Sequence, residues 1–182
     1  MFPLFILGLL IYGLGSFVVL TLWPLRANKV TEEDCKSWVE NPALANAHLR
    51  EIIRYSQDGV ETIEDVQLRF EEIRLNELPP INVNITVLNV LVNTAPLLGL
   101  LGTVLGMLTT FHGLAQGGAE QTTATVADGI GVALITTEMG LILAIPGTFL
   151  VYFIRQMRTT FLHLLVRLEN ITLQRVKGTS VA

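Results

Sequence analysis

Residues Leu78–Ala119 read LPPINVNITVLNVLVNTAPLLGLLGTVLGMLTTFHGLAQGGA, 42 residues without an Asp, Glu, Lys or Arg. Two more stretches share this character. Met1–Leu25 carries no charged side chain, and Gly129–Ile154 carries only Glu138. Apolar runs of 18 or more nearly uncharged residues are read as membrane spans, because a helix of about 20 residues crosses the hydrocarbon core. The composition agrees: 51% of the 182 residues are hydrophobic and 15% charged, against about 25% charged in soluble domains. A soluble domain is excluded. So is a nucleic-acid binder, since the net charge is −4 and no basic block is present. Cys35 is alone, which leaves neither a disulfide framework nor a zinc-type cluster.

The first apolar stretch reads as an uncleaved anchor. A cleavable signal peptide needs a basic start, an apolar centre of about 7–15 residues and a small-x-small cleavage site. Met1-Phe-Pro-Leu4 has no basic residue, the apolar run is longer, and Trp23-Pro24-Leu25-Arg26 is no cleavage site. Trp23 stands where an interfacial aromatic belongs, and Arg26 and Lys29 follow on the water side. Lys and Arg are confined to the segment after this span and to the tail after Ile154. The link between the second and third spans has none. The positive-inside rule then predicts three spans, with the amino terminus outside and the carboxyl terminus inside. The expected organisation is a first transmembrane helix over 1–25, a cytoplasmic helical segment over 26–80 and a second transmembrane helix over 81–116. A short periplasmic loop over 117–125, a third transmembrane helix over 126–154 and a cytoplasmic helix and tail over 155–182 complete it.

The cytoplasmic segment is expected to be helices separated by turn chemistry. Thr31-Glu-Glu-Asp34 resembles a helix start with acidic residues in its first turn. Asn41-Pro42 offers a cap followed by proline at the first helical position, and Asp58-Gly59 breaks the pattern. Ile63, Val66, Phe70 and Ile73 then recur at three- and four-residue spacing between acidic residues. That spacing predicts an amphipathic helix, expected to end at Pro79-Pro80 and to pack on neighbouring cytoplasmic helices. In the tail, Phe161, Leu165 and Leu168 define an apolar side, with Arg158, Arg167 and Arg175 expected in solvent.

Spans two and three are each near 45 Å long at 1.5 Å per residue, against a hydrocarbon core of about 30 Å, so both are expected to project into the cytoplasm. Gly99, Gly102 and Gly106 in span two, and Gly140 and Gly147 in span three, are predicted to pack helices. Each glycine costs about 1 kcal/mol in a helix interior, offset in membranes by close approach of backbones. Asn89, Asn93, Pro96, Leu100, Thr103, Met107 and Thr110 fall on one line of span two. Ala133, Thr137, Gly140, Ala144 and Thr148 do the same in span three. Counted from the outer link, Thr103 and Thr137 both lie about 16–20 Å deep, close to the bilayer midplane. Two readings are open: each hydroxyl bonds its own helix backbone, or the threonines of several copies form a polar ring. Glu138 lies at the same depth. A charged carboxylate at a helix centre costs about 2.5–3.5 kcal/mol on insertion scales, so it must be protonated, paired or facing water.

Pro96-Leu-Leu-Gly-Leu-Leu-Gly-Thr-Val-Leu-Gly-Met107, followed by Phe111 and Gly113-Leu-Ala115, resembles the second-span signature of the ExbB/TolQ/MotA proton-channel family. Gly129-Ile-Gly-Val-Ala-Leu-Ile-Thr-Thr-Glu-Met-Gly-Leu141 and Ala144-Ile-Pro-Gly147 resemble its third-span signature. Three spans with an outer amino terminus are similar to ExbB and TolQ, whereas MotA relatives have four. The resemblance implies an all-α, ring-forming membrane protein that acts as stator of a proton-driven machine in a bacterial inner membrane. It implies five copies around an ExbD- or TolR-like single-span partner, whose work passes to a TonB- or TolA-like periplasmic protein. Protons are the coupling ion, with no other cofactor. Thr103 and Thr137 match the threonines that line the path, and Thr110 and Thr148 join them on the same faces. One departure stands out. Where typical relatives place a glutamate after Gly-Ile-x, this chain has Val132, and its acidic residue comes six positions later at Glu138. Six residues turn a helix by about 240° net, so Glu138 occupies a different face.

Other classes are weaker. A passive scaffold needs the packing glycines but not matched threonines. A small-solute transporter shows internal repeats and broken helices, which are absent from this sequence. A motility or secretion stator shares the same spans. No nucleophile–base pair or phosphate loop suggests an enzyme, and His48, His112 and His163 lack the neighbours a metal site needs.

Overall fold

A computed structural model of the chain describes residues 2–22, 31–60, 62–116 and 122–180. Among these residues every regular element is helical: α1 (Phe2–Leu22), α2 (Glu32–Glu40), a 3-10 turn at Pro42–Leu44, α3 (Ala47–Gln57), α4 (Ile63–Gln116) and α5 (Thr122–Ser180). Helices α4 and α5 are long and apolar enough to cross a membrane, and α1 carries a shorter described apolar stretch, Ile6–Leu20. The expected interfacial residues Trp23, Arg26 and Lys29, and residues 117–121 of the expected outer link, lie outside the described residues.

The chain forms two compact units. The first takes residues 1–16 and 85–152, the second residues 17–84 and 153–182, so α1, α4 and α5 each contribute to both. The second unit is built from the turn chemistry in the sequence. Thr31 opens α2, its amide donating to the Asp34 carboxylate at 2.9 Å. The Asn41 side chain accepts from the Ala43 amide at the start of the 3-10 turn. Gly59, with φ of 65°, takes the left-handed conformation that ends α3 and redirects the chain. Thr62 and Asp65 then cap α4 reciprocally, each side chain accepting from the other's amide. In this unit Leu49, Ile52 and Ile53 of α3, Val66, Phe70 and Ile73 of α4, and Phe161, Leu164, Leu165 and Leu168 of α5 are buried. Ile63, counted with the apolar stripe, is exposed instead. It sits in the first turn, beyond the buried part of the helix.

Two expectations fail in this unit. The amphipathic helix does not end at Pro79-Pro80: α4 runs through both prolines without a break. They remove the amide donors that would serve the carbonyls of Leu75 and Asn76. Burial of Ile73 on one side and Ile81 on the other holds the helix on course regardless. The tail arginines are also not all solvated. Arg175 donates to the Val39 carbonyl at 3.1 Å, and Arg158 is half-buried. Arg175 thus ties α5 back to α2. Arg74 of α4 and Glu169 of α5 form an ion pair in the same unit, and His48 of α3 meets Glu77 of α4 at 3.1 Å.

Candidate functional site

In the first unit, α4 and α5 run side by side, and small residues let them touch. A Cβ at Gly140 would stand 2.8 Å from the Ala95 carbonyl oxygen and 3.2 Å from the Gly99 Cα. One at Gly99 would meet the Thr136 carbonyl oxygen at 3.0 Å and the Thr137 Cα at 3.2 Å. At Gly106 it would meet Ala133 and the Gly129 carbonyl oxygen, and at Gly102 the Thr136 side chain at 2.5 Å. Gly147 lies against Val92 of α4 and Ile11 of α1. Backbone, not a flexible side-chain tip, fills the space beside Gly99 and Gly140, so neither position has room for a methyl group.

These contacts fix the levels and flanks of the polar residues. Gly102 faces Thr136, Gly99 faces Gly140, and Gly147 faces Val92. In two antiparallel right-handed helices, the residue after a contact residue turns by about 100° to the same flank of the pair. Reversing the helix direction reverses the rotation, and facing the partner reverses it again. Thr103 and Thr137 each follow one member of the Gly102–Thr136 contact. They therefore fall at one level on one flank, and both are half-buried. The opposite flank is covered. Helix α1 lies against Leu143 and Leu150, the residues that precede Ala144 and Val151, and the Tyr12 hydroxyl donates to the Leu143 carbonyl at 3.4 Å.

The four threonines behave differently. Thr103 donates to the Leu100 carbonyl at 2.6 Å and Thr148 to the Ala144 carbonyl at 2.8 Å, each within its own helix. Thr137 reaches across, donating to the Gly99 carbonyl of α4 at 3.4 Å. Thr110 does not lie open on this flank. It is buried between the helices against Gly129, and it donates to the Gly106 carbonyl at 3.0 Å. Seven residues separate it from Thr103, nearly two turns, so the two share a face. The missing side chain at Gly129 lets α5 close over Thr110. Thr136 is a buried threonine of this unit that sequence reasoning passed over. It bonds the Ala133 carbonyl at 2.8 Å beneath Gly102, and the signal for it was a β-branched residue level with a glycine.

Glu138 is exposed on the side of α5 turned away from α4, two residues or about 200° on from Thr136. Val132 and Asp128 are exposed as well. Sequence reasoning also passed over Gly8 and Gly15, seven residues apart on α1, which lie against Leu143 and Leu150 of α5.

Residues 40–165, more than two thirds of the chain, match the MotA/TolQ/ExbB proton channel family. The chain belongs to that family. The match covers the whole glycine-packed pair and the open threonine flank. Among its relatives, the ExbB-like 3 biopolymer transport protein of Synechocystis is 31% identical over 131 residues, 66% of this chain and 62% of that protein. The biopolymer transport protein exbB1 of Vibrio cholerae is 51% identical over 53 residues, 29% of this chain and 23% of the relative. The Tol-Pal system protein TolQ of Pseudomonas aeruginosa is 51% identical over 55 residues, 30% of this chain and 23% of the relative. The chain thus spans from about a quarter to about three fifths of the length of these relatives.

Proposed function

We propose that this chain is the channel-forming stator of a proton-driven motor in a bacterial inner membrane. α1 and the apolar parts of α4 and α5 cross the bilayer, with the amino terminus in the periplasm and residues 26–80 and 155–182 in the cytoplasm. Five copies surround the span of an ExbD- or TolR-like partner, and the motor energises a TonB- or TolA-like periplasmic protein. No cofactor beyond the coupling proton is required. The observation that carries the reading is the pairing of Thr103 and Thr137 at one level on the flank that α1 leaves open. Several copies placed with this flank inward have a band of hydroxyls around a mostly apolar lumen. Each hydroxyl donates to a backbone carbonyl and keeps oxygen lone pairs as acceptors on the flank, and a passive scaffold has no need of two at one depth. Thr110, buried under α5, takes a packing role in this proposal. Glu138, on the far side of α5, meets a neighbouring copy and stays outside the lumen.

Thr137→Val keeps the side-chain volume and removes the hydroxyl. Partner-dependent proton flux into liposomes is expected to fall at least tenfold, while the single-span partner still co-purifies. Undiminished flux in this variant would leave Thr137 as a helix-bridging residue and favour the scaffold.

A further inference from the structure

We infer a second polar station on the same flank, made by Asn93 and Thr148 and separated from the Thr103–Thr137 level by an apolar layer. The inference rests on the reading of that flank as the proton path. It begins with the contact between Gly147 and Val92, where a Cβ on the glycine would stand 2.8 Å from Val92 Cγ2. Asn93 and Thr148 each follow one member of that contact. The rotation that brings Thr103 and Thr137 to one flank therefore brings this pair to the same flank, at its own level. Ten residues separate Asn93 from Thr103, so the two levels are about 15 Å apart. Between them the Gly99–Gly140 contact is followed by Leu100 and Leu141, which place an apolar layer on the flank.

The chemistry of the pair points to water. The Asn93 amide offers two N–H donors and a carbonyl acceptor. Among the described residues it makes no hydrogen bond, and it is exposed. An amide cannot be left unpaired against lipid without a large penalty. The Thr148 hydroxyl spends its proton on the Ala144 carbonyl, which leaves its oxygen lone pairs as acceptors facing the flank. An amide and a hydroxyl oxygen at one level hold water, and water takes up and passes on a proton. Neither side chain changes its protonation state. The proton moves along the water, one O–H bond forming as the next breaks. The hydroxyls of Thr103 and Thr137 are too distant to hand a proton to this station directly, so the Leu100–Leu141 layer is where a mobile carrier on the partner must act. In the proposed orientation the Asn93–Thr148 station is the cytoplasmic exit.

The test uses the full-length protein with its partner. In a Cys35→Ser background, Asn93→Cys is expected to react with a charged, water-soluble methanethiosulfonate reagent in membrane vesicles. Leu101→Cys, on the far side of α4, is expected to stay unlabelled. Asn93→Leu and Thr148→Val are each expected to lower proton flux at least tenfold with partner co-purification intact, and Thr148→Ser to restore most of what Thr148→Val removes. An unreactive Asn93→Cys overturns the station, as does normal flux through both Asn93→Leu and Thr148→Val. If Thr137→Val abolishes flux in that case, the proton path stands and only its second station falls. If Thr137→Val also conducts normally, the reading of the flank falls with it. Should Asn93→Leu fail to assemble, the labelling of Asn93→Cys still decides.

Discussion

The two units of this chain hold together by opposite means. The first has no Lys or Arg at all, while all 12 of the chain's basic residues lie in the second. In the first unit the closest contacts are made by residues with little or no side chain: Gly99 on Gly140, Gly106 on Gly129 and Ala133, Gly102 over Thr136. Large apolar residues there point outward, among them Leu97, Leu134, Phe149 and Tyr152. In the second unit the arrangement is inverted. Phe70, Phe161, Leu165 and Leu168 are inside, and polar contacts such as the Arg74–Glu169 ion pair and the His48–Glu77 contact tie the helices together. On the proposed orientation, the difference reflects the surroundings each unit is built for. Water drives large apolar groups together. Lipid gives no such drive, so helices associate through close backbone approach and bonded hydroxyls.

The contrast breaks most visibly if a large residue is removed from the second unit. Phe161 is completely buried, and Phe161→Ala is expected to cost about 3–5 kcal/mol, the transfer term plus a cavity. Thermal unfolding in mild detergent, followed by tryptophan fluorescence, measures this. A loss below about 1 kcal/mol would show that large side chains do not hold this unit.

In the first unit the damaging change is the reverse. Gly140→Ala adds one methyl group, which meets the Ala95 carbonyl oxygen and the Gly99 Cα. Neither can yield without moving a helix axis, so the expected cost is about 1–3 kcal/mol, although alanine is the better helix former. Gly99→Ala should behave alike and for the same reason. The check is the same unfolding measurement together with native mass spectrometry of the assembly. A stabilised, fully assembled Gly140→Ala would mean that α4 and α5 do not approach this closely.

Much of this was legible in the sequence, for a physical reason. Uncharged runs and glycine spacing are dictated by the solvent a helix faces, and solvent acts on every residue of the span. Hence glycines such as Gly99, Gly102, Gly106, Gly140 and Gly147 stand out as packing candidates, although type alone does not separate them from Gly131, beside which nothing lies within 4 Å. What the sequence did not settle depends on one helix's rotation against another. Thr103 and Thr110 share a helical face, yet Gly129 admits one of them beneath α5 and leaves the other at the flank. Thr136 and Thr137 are neighbours with identical side chains, and only contact with Gly102 makes the first the buried one. Pro79-Pro80 reads as a stop locally, but burial on both sides overrides it. Arg175 reads as a solvated charge because its acceptor, the Val39 carbonyl, is far away in sequence.

The smallest expected effect sharpens the comparison the furthest. Gly131 resembles Gly140 in type and lies in the same helix, but a Cβ there would meet nothing within 4 Å. Within the folded chain, Gly131→Ala should therefore be neutral or stabilising by up to about 1 kcal/mol, the ordinary gain of alanine over glycine in a helix. Glu138 lies seven residues further on, nearly two full turns, so it shares the face of Gly131 that turns away from α4. A carboxylate on that face is unstable against lipid unless something covers it. Gly131→Ala separates the two ways of covering it. If a second copy packs closely there, the variant unfolds at an unchanged or raised temperature as a monomer but assembles poorly, and Glu138→Gln, which keeps its hydrogen-bonding capacity, assembles normally. If the variant assembles fully, that face is not a close contact between copies. Glu138 must then meet water or the single-span partner proposed above, and the small residue at Gly131 needs a different explanation from the one at Gly140.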